Sequence, residues 1–409
     1  MIDGDERRGP EAARRATPGS ELYRHFNSAG CALPTLDTLT TVVEHLRLEA
    51  SEGGYEAAAA AADRISSVYD GVARLVSALP SEIALFDSAS TALRALVDAW
   101  AFVPGSHVVV ARSSYVSHAL HLMQLVRNHG LTLDIVDNAS DGSIDLDKLD
   151  ATLAGLDGAP TLLSVAHVPT SSGLVEPVSA IGRLARRHGA TYLVDATQSV
   201  GQIPLDVDEI GCDALVGTGR KFLRGPRGTG FAYVRAASSD VFVSLVPDVR
   251  GSVWESEGHW STSSAAIRFE SWENSVACRL GLGTAIDSAL SAGIENIGAS
   301  LAQSADRTRT GLATIRGVRI QDPLAATSGI VTFSLDGVAD RTVVSELRAR
   351  DVRVTSVPAT HGQWDLGARN TPGVVRASTH VYNSSADVDA LLEGVQDIAL
   401  MAGSGRLVG

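Results

Sequence analysis

Cysteine is scarce in this 409-residue chain: Cys31, Cys212 and Cys278 lie far apart and form no C-x-x-C pair. That fits a reducing cytosol and leaves no pattern for structural zinc. Basic residues are also short, 34 lysines and arginines against 47 acidic residues, for a net charge of −13. Phosphate binding along a nucleic acid needs clustered cations, so no nucleic-acid partner is expected. No run of eighteen apolar residues occurs, so neither a membrane-spanning helix nor a membrane partner is expected. The first twenty residues, MIDGDERRGPEAARRATPGS, lack an apolar h-region and are not read as a secretion signal. They are expected to form a disordered tail on a cytoplasmic protein. Nucleotide fingerprints are missing too: there is no G-x-x-x-x-G-K-[ST], and no G-x-G-x-x-G follows the first expected strand.

What is present is an ordinary globular composition, 44% apolar and 20% charged, in a chain long enough for two domains. Short β-rich runs alternate with helical patterns between about residues 60 and 235. Expected strands are Glu82–Phe86, His107–Ala111, Thr132–Val136, Thr161–Ala166, Thr191–Asp195, Ala214–Thr218 and Phe231–Val234. Expected helices include Thr91–Ala101, Ser117–His129, Val178–His188 and the alanine run Ala57–Ala62. Such alternation predicts an α/β fold with a mostly parallel sheet, which binds ligands beyond the carboxyl ends of its strands. The stretch 247–269 reads as polar loop, and a helix is expected over Ser275–Ala292. Beyond it, strand-like Gly329–Leu335 and Val374–Ser378 and helical Ala339–Ala349 read as a smaller α/β domain. The expected division is a tail at 1–20, a large domain at 21–275 with an N-terminal arm at 21–45, and a small domain at 276–409.

Chemistry concentrates at the strand ends. Asp195 closes the apolar run Tyr192-Leu-Val, Gln198 follows, and Lys221 comes just after the next strand in Thr218-Gly-Arg220-Lys221. The glycine-rich turn Gly225-Pro-Arg-Gly-Thr-Gly230 completes the segment. Taken singly, each has an ordinary reading. An Asp after a strand commonly caps a helix, a lysine is usually a solvated charge, and Ser90 before a helix is a simple cap. Together they match the needs of pyridoxal 5′-phosphate. An acid keeps the pyridine nitrogen protonated, and a lysine forms the Schiff base with the aldehyde. Thr218 and Arg220 can serve the phosphate by hydroxyl and charge. Ser88-Ala-Ser-Thr91, at a helix start, offers a further phosphate site, and Tyr115 follows a strand where its ring can stack.

These motifs, D-x-x-Q followed by G-x-K and G-P-x-G-x-G, resemble the class V aminotransferase-type enzymes of fold type I, among them cysteine desulfurases and isopenicillin epimerases. The resemblance covers roughly residues 20 to 400. It implies a mostly parallel seven-stranded sheet with a smaller C-terminal domain, a homodimer, and pyridoxal phosphate as cofactor. It implies that Lys221 is the Schiff-base lysine, that Asp195 binds the ring nitrogen and that Gln198 contacts the ring oxygen. Tyr115 falls where desulfurases place a stacking histidine. Ser90, Thr218 and Arg220 fall at phosphate positions, with Ala89 offering a backbone N–H. Thr170 stands for an asparagine near the ring, and Arg376 for the arginine that binds a substrate α-carboxylate. Asn27 and Ser28 are expected to contact substrate.

Two departures matter. Desulfurases carry a mobile cysteine ahead of that arginine, and Thr355–Thr371 contains none. Trp272-Glu273 replaces a glycine-threonine pair that in many relatives reaches the neighbouring subunit's phosphate. Phe26-Asn-Ser-Ala-Gly30, Glu52-Gly-Gly-Tyr55, Val168-Pro-Thr-Ser-Ser-Gly173 and Arg268-Phe-Glu-Ser-Trp-Glu273 are similar to C–S lyases of ergothioneine biosynthesis and to enzymes processing thiol conjugates in lincosamide-type antibiotic pathways. The activity this implies is β-elimination from an S-substituted L-cysteine or its sulfoxide. Two alternatives stay open: transamination or decarboxylation-coupled oxidative deamination of such a conjugate, and ligand binding without catalysis. His25, Tyr55, Arg250, Trp254 and His259 are further candidates at the pocket entrance.

Overall fold

The computed structural model describes residues 10–405. Its centre is a seven-stranded sheet of β1 (Ile83–Phe86), β2 (His107–Ala111), β3 (Thr132–Val136), β4 (Thr161–Ala166), β5 (Thr191–Asp195), β6 (Ala214–Thr218) and β7 (Gly230–Val234). The spatial order is β1-β7-β6-β5-β4-β2-β3. All pairs are parallel except those made by β7, which runs antiparallel to both β1 and β6. The central strands are buried along their length but for the half-buried Thr191, as a sheet covered on both faces by helices requires. β1, β2, β4, β5 and β6 all point their carboxyl ends to the same edge, and β7 begins there.

Helix Val276–Ala292 packs on Leu36–Glu52 and Ala62–Val76, against the large sheet's side of the molecule. A four-stranded antiparallel sheet follows, in the order Val318–Ile320, Ile330–Leu335, Gly373–Ser378, Thr355–Pro358, covered by helices Ile294–Ala313, Asp340–Arg348 and Ser385–Gly403. The arm near residue 25 does not belong to the large part alone. Arg24–His25 pair with Val352–Arg353, and Phe26 is buried in the C-terminal core.

Three expectations are corrected. Of the expected tail, residues 1–9 lie outside the described residues, but Pro10–Arg15 is a helix. Arg14 holds it down by donating to Asp387 at 2.7 Å and to the Ser20 carbonyl at 2.8 Å. The alanine run is two helices, Gly54–Ala60 and Ala62–Val76, broken at Ala61. The stretch 247–269 is not all loop. Ser252–Ser256 and His259–Thr262 form a hairpin with Trp254 opposite Trp260, both exposed. Cross-strand pairing there overrides a composition that alone reads as polar loop.

Candidate active site

Lys221, Asp195, Gln198, Thr218, Arg220, Thr170, Tyr115, Ala89 and Ser90 line one cleft at the carboxyl edge of the sheet. Parallel pairing explains the convergence. Asp195 is the last residue of β5, Lys221 follows β6, Thr170 follows β4, Tyr115 follows β2, and Ala89 and Ser90 follow β1. Thr197 and Ser113 line the same cleft and escape a reading of motifs alone. Thr197, inside the quoted D-x-x-Q motif, was the more legible of the two.

The helix at the far end, Ala89–Ala99, is capped by Ser88, whose hydroxyl accepts from Thr91 N at 3.1 Å. The expected cap, Ser90, is thereby left to face the cleft. The first-turn N–H groups beside it make an anion site. Gly230 is needed for this approach: a Cβ there would meet Ser88 C at 2.5 Å and Ala89 N at 2.7 Å. Thr218 is less free than its spacing implies, because its hydroxyl donates to the Thr229 carbonyl at 3.0 Å and retains only acceptor capacity toward a ligand.

Asp195 fulfils both of its readings. One carboxylate oxygen accepts from Thr197 N at 2.9 Å, as a local turn would have it, and the carboxylate also lines the cleft. Lys221 is buried, and its amine is lowered to about 7. Burial is the main cause; the positive charges of Arg220 and Arg376 add to it, and Asp195 opposes it. Arg220 donates to the Gly30 carbonyl, while Gln198 Nε2 donates to the Ala29 carbonyl at 3.1 Å. The segment after Phe26 thus seals one side of the cleft with backbone acceptors.

Arg376 is held from two directions. Its NH1 donates to Thr170 Oγ1 at 2.6 Å and to the Thr170 carbonyl at 3.1 Å, and its NH2 donates to Asn27 Oδ1 at 3.1 Å. Its Nε is buried without a partner. Ser28 is placed otherwise than expected. It is fully buried, its hydroxyl is 3.0 Å from the Tyr382 hydroxyl, and it does not line the cleft. His25 makes the same kind of contact, with Nδ1 3.0 Å from that hydroxyl. Arg250 donates to Glu270 and Tyr69, while Tyr55, Trp254 and His259 are exposed away from the cleft.

The cleft fits pyridoxal phosphate. Gln198 Oε1 and Thr197 Oγ1, on residues of the cleft, are buried without hydrogen-bond partners, as is the Nε of Arg376, which does not itself line the cleft but bonds Thr170 there; a bound polar ligand relieves such an arrangement. A carboxylate, an amine near neutrality and a helix N-terminus lie around them. Fold and site together define a fold type I, pyridoxal phosphate-dependent enzyme. The aminotransferase class-V family model matches residues 26–391, and the chain belongs to that family.

Among relatives, the chain is 28% identical to a probable cysteine desulfurase of Methanothermobacter thermautotrophicus, covering 96% of this chain and 98% of that one. It is 29% identical to a probable hercynylcysteine sulfoxide lyase of Mycobacterium tuberculosis, covering 91% and 89%. The apo structure of the cysteine desulfurase from Thermococcus onnurineus NA1 superimposes with a TM-score of 0.87 at 25% identity, covering 96% of this chain and 98% of that one.

Proposed function

We propose that the chain is a C–S lyase that releases the sulfur substituent of an S-substituted L-cysteine, or of its sulfoxide, by β-elimination. One observation carries this reading over desulfuration: among the described residues no cysteine lines the cleft. Thr355–Thr371, which would hold the attacking thiol, folds instead into a strand, a short turn and a π-helical turn at Gln363–Gly367. Cys212 is buried, with its thiol pushed up to about 12 by burial, and Cys31 and Cys278 lie outside the cleft. β-Elimination needs no second nucleophile. The similarity to a mycobacterial protein named for a sulfoxide lyase supports the same branch. A role in ergothioneine or sulfur-containing natural-product biosynthesis is the setting we infer.

In this reading Asp195 faces the ring nitrogen and keeps its proton. Gln198 and Thr170 face the ring oxygen, and Ser90, Thr218, Arg220 and the Ala89 N–H hold the phosphate. Bound there, the cofactor supplies an electron sink for the pair left on Cα when a proton is removed. Arg376 takes the α-carboxylate on its unpartnered Nε side, a charge-assisted contact. The Lys221 amine, close to neutral at physiological pH, removes the α-proton as general base. The sulfur group then leaves Cβ with the electron pair, and the remaining three-carbon fragment hydrolyses to pyruvate and ammonia. The exposed apolar residues Val246, Val249, Trp254 and Trp260 support assembly as a homodimer, and the low cysteine content supports a cytoplasmic setting.

The test is a paired assay of wild type and Lys221→Ala with an S-alkyl-L-cysteine and its sulfoxide. Lysine-dependent cofactor absorbance with stoichiometric pyruvate and ammonia supports the reading. Carbon dioxide or an aldehyde in place of pyruvate replaces it with decarboxylative chemistry.

A further inference from the structure

A second cavity of about 70 Å³ adjoins the cleft. A single water needs roughly 10–15 Å³, so the cavity has room for a group of several heavy atoms. It shares Ser113 and Pro169 with the cleft and continues to Asn138, Ser172, Asp365 and Arg369. Three consecutive residues join the two spaces. Thr170 accepts from Arg376, the Ser171 hydroxyl donates to Asp365 Oδ2 at 3.3 Å, and Ser172 lines the second cavity. The cavity is thus lined by a residue two positions along the chain from Thr170, the partner of the guanidinium assigned to the α-carboxylate.

Its free group is the Asn138 amide, whose Nδ2 makes no hydrogen bond among the described residues. Asn138 Oδ1 is buried with no hydrogen-bond partner, which is costly until a donor arrives. Arg369 is occupied: Nε and NH2 donate to Asp365 at 2.9 and 3.2 Å, and NH1 donates to the Gln321 carbonyl at 3.3 Å. Behind Ser113 stands Glu176, which accepts from the Ser113 hydroxyl at 2.9 Å and from Ile144 N at 2.8 Å. Asp141 and Asp365 both act on Glu176 as like charges. An anionic group brought here meets the Asp365 carboxylate, and the one cation among the described residues that line the cavity, Arg369, is already paired with it.

The geometry points to this cavity as the subsite for the far end of the sulfur substituent, taking a neutral group with an N–H donor, of which a carboxamide is the simplest. This rests on the reading of the substrate as an S-substituted cysteine. It adds selectivity between isosteric substituents, which the catalytic residues by themselves do not supply.

The test uses the cofactor-loaded enzyme and a matched pair of ligands, the α-methyl forms of S-(2-carbamoylethyl)-L-cysteine and S-(2-carboxyethyl)-L-cysteine. Neither can lose an α-proton, so binding is read by calorimetry without elimination. Wild type is expected to prefer the amide about tenfold, the size of one neutral hydrogen bond plus an avoided repulsion. Asn138→Leu should erase the preference and Asn138→Asp should widen it. Equal affinities in wild type, no binding of either ligand, or an unchanged preference in both variants overturns the subsite. If Asn138→Leu fails to fold, Asn138→Asp decides alone by whether the preference widens. Pyruvate release from the unmethylated amide is measured separately. Its absence with the preference intact removes the lyase reading and leaves the subsite standing.

Discussion

Thr170 accepts a 2.6 Å hydrogen bond from Arg376 although 206 residues separate them, and its carbonyl accepts a second from the same nitrogen at 3.1 Å. With Asn27 accepting from NH2, the guanidinium is held at both terminal nitrogens, and its Nε is buried without a partner. In the proposed function Thr170 would act on substrate through Arg376 as well as on the ring.

Thr170→Val removes the hydroxyl acceptor and keeps the shape. A hydrogen bond to a charged donor is worth about 1.5–3 kcal/mol, so KM for the S-substituted cysteine should rise by at least about tenfold. Steady-state kinetics at saturating cofactor checks this. A fall in kcat with KM unchanged would assign Thr170 to the ring alone.

Lys221 must be neutral to join the cofactor, and its amine titrates at about 7 in the cofactor-free protein. The rate of cofactor capture should therefore rise with pH through about 7 and level off above it. Arg220→Gln removes one of the positive charges that lower the amine, so the midpoint should move to higher pH. Stopped-flow absorbance across pH 5.5–9 reads both curves.

Glu176 has its carboxyl raised to about 7, chiefly by burial, with hydrogen bonds from Ile144 N and Ser113 opposing. Its folded-state value lies above its unfolded one, so the folded protein holds the extra proton between about 4.5 and 7. That stabilisation is complete below the unfolded value and is lost as pH rises through about 7. Glu176→Gln, which stays neutral and can still serve both partners, should show a smaller drop in Tm between pH 5.5 and 8.5 than wild type. Parallel Tm curves would place the proton elsewhere.

A persulfide mechanism needs a thiol and the proposed elimination does not. The double variant Cys31→Ser, Cys278→Ser should keep pyruvate release within about twofold of wild type, the spread ordinary for exposed or half-buried substitutions. Loss of turnover with cofactor content and Tm preserved would return a cysteine to the mechanism.

The strand ends were legible because their causes are local. Five of the seven large-sheet strands have the expected bounds, His107–Ala111 among them, and the other two shift by one residue at the start. A buried parallel strand must be apolar throughout, and the residue that ends it is polar or glycine when it faces a ligand. The choice of Ser88 over Ser90 as cap was not legible, since both are good caps and only φ and ψ at the helix start separate them. Nor was the burial of Ser28, which depends on Tyr382 at the other end of the chain.

By itself the sequence determined the alternation of strands and helices and the placing of Asp195 and Lys221 at neighbouring strand ends. The class of cofactor chemistry followed from those two positions. Only the tertiary structure decided what surrounds them: the anchoring of residues 10–20, the clasp of Asn27 and Thr170 on Arg376, and the cavity at Asn138. Hydrophobic period and chain stereochemistry act over a few residues and are written along the chain. Hydrogen bonds between residues hundreds of positions apart exist only once packing brings them together and burial removes the competing water.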